Sequence, residues 1–145
     1  MAERIHVPAR FLTIPYNGAI HPGVDHPTDL STGANCQVFA YAVLKHFGLD
    51  LPPLRSSDLW DDTIHTRMVA ELEPLDLLLF GPTADAYGAH VALYLGKGEA
   101  IHLSKAVGTP AIWPIERFVT TERYRVFIGA KRVLASVDQT PPLAL

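Results

Sequence analysis

Residues His90–His102 read HVALYLGKGEAIH, two apolar runs around a Gly-Lys-Gly centre. Runs of this length broken by glycines predict a β-hairpin. A three-residue loop, Gly96 to Gly98, with Gly98 left-handed is a common connection. That loop sets Leu95 opposite Glu99 and Ala92 opposite His102. Side chains share a face at every second residue, so His90, Ala92 and Tyr94 point one way. His102 then points to the same face, diagonal to His90, with backbones ~7–8 Å apart. A two-residue loop would send the two histidines to opposite faces. The hairpin therefore predicts an antiparallel sheet that carries a histidine pair.

Further strands surround it. Asp76–Phe80, DLLLF, is a short buried run, while AIWPI and RYRVFIGAKRV supply two more strands. Before the strands come helices. NCQVFAYAVLKHFG, Asn35–Gly48, is apolar around most of a helical circumference, as a central buried helix requires. Gly48 and Pro52-Pro53 end it. Ser56 or Ser57 is expected to cap a second helix through DLWDDTIHTRMVAEL, which would place His65 on a helix as His46 is on the first. Helices followed by strands imply an α+β domain. Residues 1–14 read as an extended or mixed leading segment, 17–34 as a long loop, and 136–145 as a loosely held tail of a single domain, 1–145.

The one cysteine, Cys36, stands at the start of the central helix. A lone cysteine in an apolar helix is ordinarily core filler. At a first turn, however, it faces unsatisfied N–H groups and the positive end of the helix dipole, which favour thiolate. A neighbouring histidine would assist further, and a third polar group would orient that histidine. Cys36, His90 and His102 fill these roles if the helix start packs against the hairpin face.

The chain has 145 residues, 48% of them hydrophobic, and a formal charge of −3 from 12 basic and 15 acidic side chains. No basic stripe marks it for nucleic acid or an anionic membrane surface. No apolar stretch approaches the ~20 residues of a membrane span. The N-terminus shows no signal-peptide pattern, so the expected location is the cytoplasm, or outside by a non-Sec route. His21, His26, Asp25 and Asp29 sit in a proline-rich loop that positions ligands poorly, so no metal is expected.

NCQVFAYAVLKHFGLDLPP, LEPLDLLLFG and HVALYLGKGEAIHLS resemble, in order, the three signature segments of the NlpC family of papain-like bacterial cysteine peptidases. The resemblance implies a papain-like NlpC-type fold, with the nucleophile-bearing helix packed on an antiparallel sheet. It implies Cys36 as nucleophile, His90 as general base and then acid, and His102 as the orienting residue. PYNG is similar to the family's Pro-Tyr segment, which would put Tyr16 near the oxyanion. Asn35, Gln37 and Ser57 fall on the substrate side of that pattern. The family's usual Asp before the cysteine is Asn35 here, and its Ser-Gly after it is Gln37-Val38. An uncharged Asn35 cannot pair with a peptide's ammonium group as a carboxylate does. The longer separation of Tyr16 from Cys36 makes 17–34 an insertion, a candidate lid. Cys36 precedes both histidines, which excludes the circularly permuted order.

The implied activity is hydrolysis of an amide bond in a peptidoglycan-type or other short peptide through a thioester, with no cofactor. Thiol acyl transfer to a non-cell-wall substrate and a non-catalytic binding module of the same fold are the alternatives.

Overall fold

The computed structural model describes residues 4–134, so the tail expected at 136–145 lies outside the described residues. Helix α1, Cys36–His46, begins where the sequence places it. The Asn35 side chain caps it, accepting from the N–H of Gln37 at 3.0 Å and of Val38 at 2.9 Å. Gly48 follows the last turn at φ +87°, the left-handed conformation that ends helices. Val38, Phe39, Ala40, Val43 and Leu44 are buried, and none of them carries a polar side-chain atom to satisfy.

Six strands form one antiparallel sheet: β1 Thr66–Val69, β2 Leu77–Gly81, β3 His90–Gly96, β4 Glu99–His102, β5 Ala111–Pro114 and β6 Val126–Val133. Their order is β1-β6-β2-β3-β4-β5. Alternation divides the sheet between two cores. Leu77, Leu79, Val91, Leu93, Leu95 and Ile101 pack with α1. Leu78, Phe80, Ala92 and Ala100 pack with Trp113, Phe118 and Tyr124 on the other side. Phe118 belongs to a short helix, Ile115–Val119, and Tyr124 to a 3-10 turn, Glu122–Tyr124, where a strand was expected from Arg123.

The hairpin keeps its histidines on one face by a different route from the expected one. Lys97 and Gly98, at φ +55° and +77°, form a two-residue turn, and Gly96 pairs with Glu99. The register slips between Tyr94 and Gly96, leaving Leu95 as an extra residue, a β-bulge. Tyr94 faces Ala100 and Leu93 faces Ile101, so the bulge cancels the inversion that a two-residue loop alone would cause.

The second helix is shorter than expected. Helix α2 covers only Ser56–Asp61, its N-cap is Arg55 rather than a serine, and Thr66–Val69 is strand β1, so His65 lies outside any helix. Asp62 breaks the helix. Its carboxylate accepts from the N–H of His65 at 2.9 Å and from the Thr66 N–H and hydroxyl, each at 2.8 Å. Asx-type bonding of this kind competes with helix continuation. The buried Lys131 ammonium takes up carbonyls at the helix end, donating to Trp60 O at 2.9 Å and Asp62 O at 2.6 Å. Gly129 is required beside this junction, since a Cβ there would fall 2.5 Å from the Trp60 ring. Among the described residues no helix is long and apolar enough to cross a membrane.

Candidate active site

Three segments bring the site together. The first is the segment before α1. Tyr16 forms a parallel bridge with Ala34, so the long loop between them returns to its own start. Asn17 N–H donates to Ala34 O at 2.9 Å, Ala34 N–H to Pro15 O at 3.1 Å and Asn35 N–H to Ile20 O at 2.8 Å. Gly33 makes the return possible at φ +93°, where a Cβ would lie 2.7 Å from Pro15 O. Separation along the chain thus does not keep Tyr16 from Cys36. Leu30, 2% exposed, anchors the loop in the core, while the cleft lining passes from Tyr16 to Asn35.

The second segment is the start of α1. Asn35 spends its carbonyl oxygen on Gln37 and Val38, which leaves the Cys36 N–H, the first of the helix, outside the cap. Gln37 turns inward, its amide donating to Leu54 O at 2.9 Å and to the Tyr41 hydroxyl at 3.2 Å.

The third is the sheet face with the histidines. Helix α1 does not pack on that face, as the sequence reading required, but on the opposite one, against Val91 and Leu93. Cys36 and His90, the first residue of β3, instead line one cleft at the strand's end. The N–H groups of Val91, Cys36 and Gln37 all favour the thiolate of Cys36. One cleft of about 790 Å³ is lined by Tyr16, Asn35, Cys36, Gln37, Ser57 and His90. His102 stands behind His90, their Nε2 and Nδ1 atoms 2.8 Å apart. With His90 Nε2–H donating to His102, His90 Nδ1 is the nitrogen left to take a proton.

Aromatic rings fix both imidazoles. Tyr124 stacks on His90 with centroids 4.4 Å apart and planes 19° off parallel. Trp113 and Phe118 meet His102 at 4.2 and 4.6 Å, both steeply inclined. His102 is 1% exposed, and its Nε2 finds no hydrogen-bond partner among the described residues. None of these aromatic contacts was read from the sequence. Trp113 was assigned only to core or cleft wall, and Tyr124 to a strand.

Burial dominates the electrostatics. It pushes the Cys36 thiol up despite the N–H groups that favour thiolate, contrary to the depressed thiol expected at a helix start. Burial, the neighbouring His102 and the Arg123 charge hold His90 well below the usual histidine range. Burial, with the Arg117 charge, pushes His102 down to about 4. Tyr16 is raised by burial and by the nearby cysteine. The resting site is therefore a neutral thiol beside neutral imidazoles. Among the described residues, no group of three or more His, Cys, Asp or Glu side chains could hold a metal ion.

Solved structures share the architecture. An NlpC/P60 family protein from Bacillus cereus ATCC 10987 aligns with a TM-score of 0.59 at 24% identity, covering 90% of this chain and 42% of its own. The NlpC/p60 domain of the peptidoglycan hydrolase SagA aligns at 0.53 and 21% identity, covering 86% and 91%. The P60 domain of the M. avium subspecies paratuberculosis antigen MAP1204 aligns at 0.56 and 17%, covering 86% and 87%. The chain spans about two fifths of the length of the first of these. No curated protein matches it. The profile of the NlpC/P60 family, which includes peptidoglycan hydrolases, matches residues 23–125, and the chain belongs to that family.

Proposed function

We propose that the chain is a papain-like cysteine hydrolase that cleaves an amide bond in a short peptide of the cell-wall type. The observation that carries this reading is the His90–His102 contact of 2.8 Å, at the wall of the cleft that also holds Cys36. Because burial disfavours both charges, His90 removes the thiol proton as Sγ attacks the carbonyl carbon, and no ion pair needs to form beforehand. The developing oxyanion meets the Cys36 N–H, which the Asn35 cap leaves out, with Tyr16 lining the same cleft. The C–N bond then breaks as protonated His90 gives its proton to the departing amine. Water, deprotonated by His90, hydrolyses the thioester. His102 keeps the His90 ring in place throughout. The peptidoglycan hydrolase SagA among the structural relatives makes cell-wall peptides the first substrates to try.

Thiol reactivity is the direct test. Iodoacetamide should alkylate Cys36 in the native protein at pH 7–8, and much more slowly in His90→Ala. Incubation with defined muropeptides, followed by mass spectrometry, should show cleavage that Cys36→Ala abolishes. A cysteine that labels only in denaturant would end the reading.

A further inference from the structure

The histidine that moves the proton has no anion behind it. His102, which orients His90, is neutral, and its Nε2 meets no acceptor among the described residues. Of the charges among the described residues that bear on His90, Arg123 and a protonated His102, neither is negative. Both oppose a positive imidazole, and so does burial. Yet His90 must be an imidazolium between the attack of Sγ and the departure of the amine. Something other than an ion has to stabilise it for that interval.

One contact suits the task. The Tyr124 ring lies almost flat on the His90 ring, with centroids 4.4 Å apart and planes 19° off parallel. An aromatic face carries the negative part of the ring quadrupole and attracts a cation within about 6 Å of its centroid. Neither of the other rings beside His90 is placed so well. His102 stands at 5.0 Å and 87°, and Phe118 at 6.4 Å and 34°. Tyr124 is also firmly seated: it is 6% exposed, its N–H donates to Thr121 O at 2.8 Å, and Trp113 and Phe118 pack around it. Burial raises its hydroxyl, so what it turns to His90 is the face of a neutral ring and not a phenolate charge.

We propose that Tyr124 is a positioning residue whose ring face stabilises the His90 imidazolium, in the role that a carboxylate would fill beside a charged histidine. The inference rests on the proposed hydrolase, in which His90 takes the Cys36 proton. The contact gains strength only as the proton reaches His90, so it lowers the barrier more than it stabilises the resting site.

The test varies the electrons of the ring at constant shape. Tyr124→Phe is made with the ring bearing no fluorine, one, two or three, which weakens the negative face stepwise. Iodoacetamide alkylation of Cys36 is timed for each at neutral pH, and urea unfolding is followed alongside. The rate should fall with every fluorine, about tenfold across the series, while the unfolding midpoints stay together. Tyr124→Leu, which has no such face, should lose roughly tenfold, and Tyr124→Phe should restore most of that loss. Fluorotyrosines at the same position keep the hydroxyl and read the same slope should Tyr124→Phe not fold. A ring that only packs against His90 gives one rate at every fluorine count. That flat series overturns the proposal, and it leaves the hydrolase standing where His90→Ala still slows labelling. A native protein whose Cys36 does not label overturns the hydrolase and this inference with it.

Discussion

The two faces of the sheet are made for different work. On one, Val91, Leu93, Leu95 and Ile101 meet the aliphatic side of α1, with Phe39 and Leu44 fully buried between them. On the other, His90 and His102 sit among Phe80, Trp113, Phe118 and Tyr124. The first face stabilises by excluding water from apolar surface. The second buries two ionisable rings, which costs stability unless they remain neutral. Alternation along β3 gives both faces from one strand, so the face that carries the histidine pair is continuous with the face that holds the fold.

That division can be broken from either side. His90→Ala should lower kcat/KM roughly a thousandfold, the scale of a lost general base, while urea unfolding shows little loss of stability. His90 is only half-buried, so the packing lost with its ring is smaller than that of a fully enclosed phenylalanine. Phe39→Ala should do the reverse. It leaves a void in the aliphatic core and should cost about 3–5 kcal/mol in urea unfolding, with the iodoacetamide rate of the remaining folded protein unchanged. If both substitutions moved stability and reactivity together, the two faces would not be separate in function.

Between pH 6.5 and 4, acid should strike the aromatic face. His102 titrates at about 4 in the folded chain against an ordinary 6.5. Between those values the unfolded state binds more protons, so stability is whole above 6.5 and drains as pH falls toward 4. The loss from this residue should be on the order of 3 kcal/mol. His90, shifted in the same direction, adds to it. Unfolding free energies measured at pH 7 and pH 4 should therefore differ more in the wild type than in His102→Asn, which has no imidazole to protonate. The same shift keeps His90 in its base form, so the acid limb of kcat/KM should fall below 6.5.

How far each face was legible in the sequence follows from its physics. The aliphatic face was largely readable, because periodicity in one helix and one hairpin already states what is buried. The histidine pair was readable for a reason that proved incomplete, since parity across the turn is restored by the bulge at Leu95 and not by a three-residue loop. The rings around the histidines were not readable. Trp113, Phe118 and Tyr124 come from a strand, a short helix and a 3-10 turn, and no local pattern links them. The extent of α2 was misread because the helical periodicity through Thr66 says nothing of the Asp62 side chain, whose bonds to His65 and Thr66 outcompete it.

The smallest effect expected is at the junction of the two regions, where α1 begins. Asn35 caps the helix through its carbonyl oxygen, at no cost in charge beside Cys36. Asn35→Asp would preserve both cap hydrogen bonds and add a negative charge at the positive end of the dipole. The fold should gain about 0.5 kcal/mol. The same carboxylate would stand one residue from the thiol, push it further up and slow iodoacetamide alkylation roughly threefold to tenfold at neutral pH. Stability and reactivity would thus move in opposite directions from a single atom's change. A faster alkylation in Asn35→Asp would show that the helix start is tuned by something other than charge. A slower one would account for a neutral cap at the position where a carboxylate serves the helix best.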